Sequence, residues 1–286
     1  LKNKKIRKFA FYPLYQGFTL VEMIVVIVIT GIVGGMVAVF IKAPVQSYMD
    51  SGRRADMTDI ADSAIRRIAR DVRIALPNSV RLTTGACPGG SGTCDFLEII
   101  PTTGSGRYRA NATGGTGGCG AAGDELKFDA ADTCFEVLGP MPILVSGTNS
   151  IAVFNQEGDA QCDAYLAGAQ NRASVSSSTA TSVTISSTTL SSKCASTGNR
   201  FQVISTPVSY VCDTTAGTLT RYSGYALANP QPTSLSGGNL LASKVGVCNF
   251  SYYQPKDLLT MNLGITDSGE TVSLYDAIHV SNSSMN

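Results

Sequence analysis

The first residue that could do chemistry is a carboxylate set inside an apolar, membrane-length run. Glu22 follows Gly17, Phe18, Thr19, Leu20 and Val21, and beyond it the chain stays apolar to Ile41 except for Thr30. A charge near the centre of a bilayer costs about 2.5–3.5 kcal/mol on insertion scales. A carboxylate kept there implies a function and a partner. Eight cysteines form the second reactive set: Cys87, Cys94, Cys119, Cys134, Cys162, Cys194, Cys212 and Cys248. None forms a C-x-x-C pair, and His279 is the only histidine, so a zinc site is a poor fit. Disulfides fit better and place this part of the chain in an oxidising compartment such as the periplasm. Many pairings are open to eight cysteines. We expect sequential neighbours to join, 87–94, 119–134, 162–194 and 212–248.

Other patterns are weaker. "GTGGCG", Gly115 to Gly120, matches G-x-G-x-x-G, but "RYRANATG" before it is no apolar strand and "AAGDELKF" after it opens no helix. A surface loop pinned by Cys119 is expected there. His279 lies in the alternating "LYDAIHV", and no G-x-S-x-G frames a serine, so no catalytic triad is expected. Asp124, Glu125, Asp129 and Asp132 lack EF-hand spacing, and a solvated turn is expected rather than a calcium site. No cofactor, no metal and no enzymatic activity are expected.

The elements that must position Glu22 are legible. Lys2, Lys4, Lys5, Arg7 and Lys8 precede Gly17, and the remainder of the chain is mildly acidic. No broad basic surface suggests a nucleic-acid partner. Residues 18–41 would form a helix of about 36 Å, enough for a hydrocarbon core of about 30 Å. The basic residues place its amino end in the cytoplasm and the cysteines outside, in agreement with disulfide formation. Gly31 and Gly35 form a G-x-x-x-G pair that admits a second helix closely, and Gly34 adds to the helix's flexibility. Pro44 should kink or interrupt the helix just beyond the membrane.

From residue 45 to 76 the pattern turns amphipathic. Met57, Ile60, Ala61, Ala64, Ile65, Ile68, Val72, Ala75 and Leu76 recur at helical steps. Charged residues from Arg53 to Arg73, Asp71 among them, are placed on the opposite face. Asp62 and Arg66 are spaced for an i,i+4 pair, and Pro77 should end the helix.

Beyond it the texture is β. Strands are expected at 79–83, 95–101, 125–128, 134–138, 150–154, 182–186, 201–205, 208–212, 218–222, 247–253, 258–263 and 271–280. Residues 102–123, rich in glycine, are expected to be a long surface loop. The Ser/Thr-rich 174–192 should be an exposed strand with loops. Without βαβ alternation, the class is α+β: a long amino-terminal helix packed on a mostly antiparallel, disulfide-stapled sheet domain.

"GFTLVE" behind a basic leader and ahead of an apolar run resembles the type IV prepilin motif. Over residues 1 to about 76 the chain is similar to the type IV pilin/pseudopilin superfamily. The "VSYVC…TLTRY" hairpin and "LLASKVGVCNFSYY" resemble the larger minor pilins and pseudopilins of the GspJ/PilW kind. The whole chain is most similar to minor pilins of the mannose-sensitive haemagglutinin (MSHA) pilus system.

The resemblance implies a leader, residues 1–17, cut between Gly17 and Phe18 by a prepilin peptidase. Phe18 would then be N-methylated, and Glu22 would serve in subunit docking. It implies a helix over 18–76, with 18–41 in the membrane, and a periplasmic β-rich domain over 77–286. Gly31 falls where pilin helices loosen during assembly. The proline usual a little further on is replaced by Val39, with Pro44 five residues later. Implied partners are major and minor pilins, the peptidase and the inner-membrane assembly platform. A tip adhesin, a type II secretion pseudopilin and a membrane-anchored enzyme are the alternatives.

Overall fold

A computed structural model describes residues 17–90, 92–113 and 123–282. One long helix, α1 (Leu20–Arg73), opens the fold. Fourteen strands follow among the described residues: β1 (Arg81–Ala86), β2 (Thr93–Ile99), β3 (Thr102–Arg107), β4 (Ala131–Glu136), β5 (Ser150–Ala152), β6 (Arg172–Ser178) and β7 (Ser182–Thr189), then β8 (Arg200–Ile204), β9 (Val208–Asp213), β10 (Thr218–Ser223), β11 (Asn239–Ser243), β12 (Val245–Tyr253), β13 (Leu258–Asp267) and β14 (Glu270–His279). Every pairing among them is antiparallel.

The chain divides into two units at Arg53/Arg54. The first holds the opening turns of α1. From Gly17 to Met49 every residue is exposed. Helix α1 runs unbroken through Gly31, Gly34, Gly35 and Pro44. The interruption expected at Pro44 therefore does not occur. The ring removes one N–H from the ladder, and the residues on either side keep the helix going.

In the second unit the rest of α1 buries the predicted stripe. Met57, Ala61, Ala64, Ile65, Ile68, Val72 and Ala75 join one core with two sheets, and Ile60 packs at its margin. One sheet runs β1-β2-β9-β10-β11 and the other β12-β13-β14. The helix stops at Arg73, before Pro77, and Ile100 C=O takes the Leu76 N–H at 2.7 Å.

Asp71 corrects the sequence reading, because it faces the core. Its carboxylate accepts the Tyr210 hydroxyl at 2.7 Å and Arg221 Nε at 2.9 Å, which fixes the helix end on β9 and β10. A second buried carboxylate, Glu98, pairs with Arg81 at 2.5 Å and accepts the Tyr225 hydroxyl at 2.8 Å. Burial raises the Glu98 pKa, and the Arg81 guanidinium opposes the shift. Removing one partner of such a pair leaves an uncompensated buried charge.

The remaining strands form a six-stranded sheet, β3-β8-β5-β6-β7-β4. Its first and last strands also meet. Tyr108 bridges Val137, Arg109 N–H donates to Glu136 C=O at 3.0 Å, and Leu138 N–H donates to Arg107 C=O at 2.8 Å. The sheet thus closes on itself around Phe135, Phe201, Val183, Ile151 and Val203.

Here the expected strand assignments need correction. Residues 102–107 are a strand, not a loop, because a Cβ on Gly106 would stand 2.6 Å from the Phe201 ring. Glycine makes room for the aromatic. Residues 125–128 are not a strand, because the Asp132 carboxylate takes the Lys127 N–H at 2.8 Å and so competes with a ladder. The Ser/Thr-rich segment is the β6–β7 hairpin, with Val175, Val183 and Ile185 buried.

Candidate functional site

The amino end of α1 is built from the residues that opened the sequence. Glu22 N–H donates to Thr19 Oγ1 at 3.2 Å, and Met23 N–H donates to Thr19 C=O at 3.2 Å. Thr19 is therefore the N-cap. Glu22, three residues on, stands in the first turn, where the helix dipole favours a negative charge. Thr19 and Glu22 have the T-x-x-E spacing of a capping box, a signal present in the sequence itself. Thr30 satisfies its hydroxyl on Val26 C=O at 2.7 Å and on Ile27 C=O.

Gly17 and Phe18 precede the first turn, and Phe18 is 76% exposed. Among the described residues, nothing beyond the chain neighbours and the helix's own backbone lies within 4 Å of a Cβ added at Gly17, Gly31, Gly34 or Gly35. Gly17 and Phe18 are both exposed, and the small-residue face of the helix is uncovered by the described residues. The apolar span has length and composition enough to cross a membrane, and none of its most apolar window is buried by its own chain.

The other candidates are distributed through the second unit. Cys87–Cys94 staples the ends of β1 and β2, Cys162–Cys194 joins two loops, and Cys212–Cys248 ties β9 to β12 across the two sheets. All three are sequential pairs, as expected. Cys134 is disulfide-bonded, while Cys119 and the Gly115–Gly120 loop lie outside the described residues. Cys87, Cys94 and Asp213 are close enough to suggest a metal grouping, but the two sulfurs are joined to each other.

His279 is exposed at the end of β14, far in sequence from Glu22. The acidic group is not the solvated turn that was expected, since Asp124 and Asp132 are buried. Burial and then the neighbouring Asp132 raise the Asp124 pKa. Backbone donors occupy much of the rest. Glu125 accepts Ala112 N–H and Asp129 accepts Ser192 N–H; hydrogen bonding from the Ser192 side chain and then from its backbone lowers the Asp129 pKa. These carboxylates hold loops together.

Residues 14–38 match the family model described as a prokaryotic N-terminal methylation motif. The motif supports a type IV pilin-like prepilin. It implies processing by a prepilin peptidase and association with a membrane, and the apolar helix fits a membrane-anchored pilin. No curated protein and no solved structure matches the chain.

Proposed function

We propose that the chain is a minor type IV pilin, a non-enzymatic subunit of the MSHA type and most like MshO. It waits in the inner membrane through residues 18–41, with its β-rich domain in the periplasm. Cleavage after Gly17 gives Phe18 a free amino group, which is then N-methylated and stays cationic. In a helical filament, staggered subunits can bring that cation beside the Glu22 of a neighbour. An unpaired carboxylate is costly in an apolar bundle and a paired one much less so. Glu22 would then select the docking register. The protein would join other pilins on the assembly platform, in a complex that starts or caps the filament. The observation that carries this reading is the methylation motif over residues 14–38, with Glu22 in the first turn of an exposed apolar helix.

A second reading makes Glu22 only a helix-start residue, favoured by the Thr19 cap and the dipole. Glu22→Gln separates the two, because it keeps hydrogen-bonding capacity and removes the charge. We expect Glu22→Gln to insert normally and to lose co-purification with its partner pilins. Normal co-purification would leave Glu22 with the helix-start role alone. A tip adhesin or a type II secretion pseudopilin would share this docking chemistry. Piliated cells that fail to adhere, on deletion of the gene, would favour the adhesin. Loss of the pili themselves favours assembly.

A further inference from the structure

The closed six-stranded sheet carries a groove on its outer surface. It measures about 520 Å³ and lies between β3 and the apolar segment 138–143. Thr103, Ser105 and Arg107 on β3 are all exposed and line the groove; Ser105 and Arg107 share one face, and Thr103 sits at a break in the register with β8. Arg200, on β8, is the direct cross-strand partner of Arg107. Directly opposed like charges destabilise a sheet. Neither arginine takes part in any ion pair among the described residues. Arg109, only two residues along the chain from Arg107, does have an acid, Glu136, at 2.7 Å. Met141, Pro142 and Ile143 form the opposite wall, with Ile143 81% exposed.

We propose that this groove binds an anionic sugar residue of a glycan. The two guanidinium groups present forked donors that suit a carboxylate or sulfate. The Ser105 and Thr103 hydroxyls, which donate and accept, suit ring hydroxyls further along the strand. The apolar wall suits the C–H face of the ring. Two cations are too few for the phosphate ladder of a duplex. The inference stands on β3 and β8 and does not depend on how the amino end is processed.

The test uses the full chain in detergent micelles. Binding is measured to a sulfated glycan (heparin), a carboxylated one (polygalacturonate) and neutral dextran, beside duplex DNA and a poly-glutamate peptide. We expect binding to heparin or polygalacturonate, the preferred one naming the anion, and none to dextran. Arg107→Glu and Arg200→Gln should each weaken it on the order of tenfold, while the distant Arg70→Gln leaves it unchanged. Arg107→Glu also turns a repulsive cross-strand pair into an attractive one, so its thermal midpoint should hold or rise as binding is lost. The proposal is overturned by equal binding of dextran, by unchanged binding in both groove variants, or by tighter binding of DNA or the peptide. A fall in midpoint that tracks the loss of binding in both variants would also overturn it.

Discussion

Ile29 and Ile68 lie in one continuous helix, yet the first is 54% exposed and the second 1%. Around Ile68 the helix is polar on one side, and two sheets cover the other. Around Ile29 the helix is apolar on every side, and its own chain covers none of it. Water is a poor solvent for such a surface. The second stretch of α1 is thus completed by its own fold, while the first is left uncovered by its own chain, as membrane association would require. Glu22 belongs to the stretch without partners in its own fold. Asp71, buried on Tyr210 and Arg221, belongs to the stretch that already has them.

Paired substitutions sharpen this contrast. Ile68→Ala should lower the stability of the β-rich unit by about 2–5 kcal/mol, through lost transfer energy and a cavity. Ile29→Ala should leave that unit unchanged. Denaturant unfolding in detergent, followed by tyrosine fluorescence, measures both. Equal effects would mean that the first stretch of the helix also supports the fold.

The disulfides give a similar ranking within the second unit. On chain-entropy grounds, replacing Cys212 and Cys248 by serine should cost about 4 kcal/mol. Replacing Cys87 and Cys94 should cost about 2.5 kcal/mol, because the first pair closes a 36-residue separation and the second one of 7. Urea midpoints of the two double variants test the order.

Alkali should destabilise the same unit as well. Tyr165, Tyr210 and Tyr225 all have pKa values raised above the ordinary 10.0, chiefly by burial. Above pH 10.0 the unfolded chain releases these protons first and the folded chain keeps them. Stability must therefore fall as pH rises through that window, by up to about 1.4 kcal/mol per pH unit for each tyrosine. Below pH 10.0 they contribute no slope. Unfolding midpoints between pH 9 and 11 (about one unit either side of the ordinary value) measure it, and Tyr210→Phe should flatten the decline.

How much was legible followed from how local each cause is. The stripe from Met57 to Ala75 repeats at helical steps, and β13–β14 alternate, so both could be read directly. Strand β3 could not, because its Gly106 makes room for Phe201, nearly a hundred residues away on β8. The loss of a strand at 125–128 depended on a single side-chain acceptor, Asp132. Asp71 looked like one more surface charge until Tyr210 and Arg221, distant in sequence, were placed beside it. At the amino end the motif was readable because Gly17, Phe18, Thr19 and Glu22 are neighbours. The Thr19 cap was legible there too.

The central claim is that Gly17 and Phe18 form a processed junction and that Glu22 serves the new amino end. Mass spectrometry of the amino terminus, on protein from its native membrane with an active prepilin peptidase, tests it most directly. The account predicts a chain that begins at N-methylated Phe18. A chain still carrying residues amino-terminal to Phe18 would contradict it and leave residues 18–41 as a plain anchor.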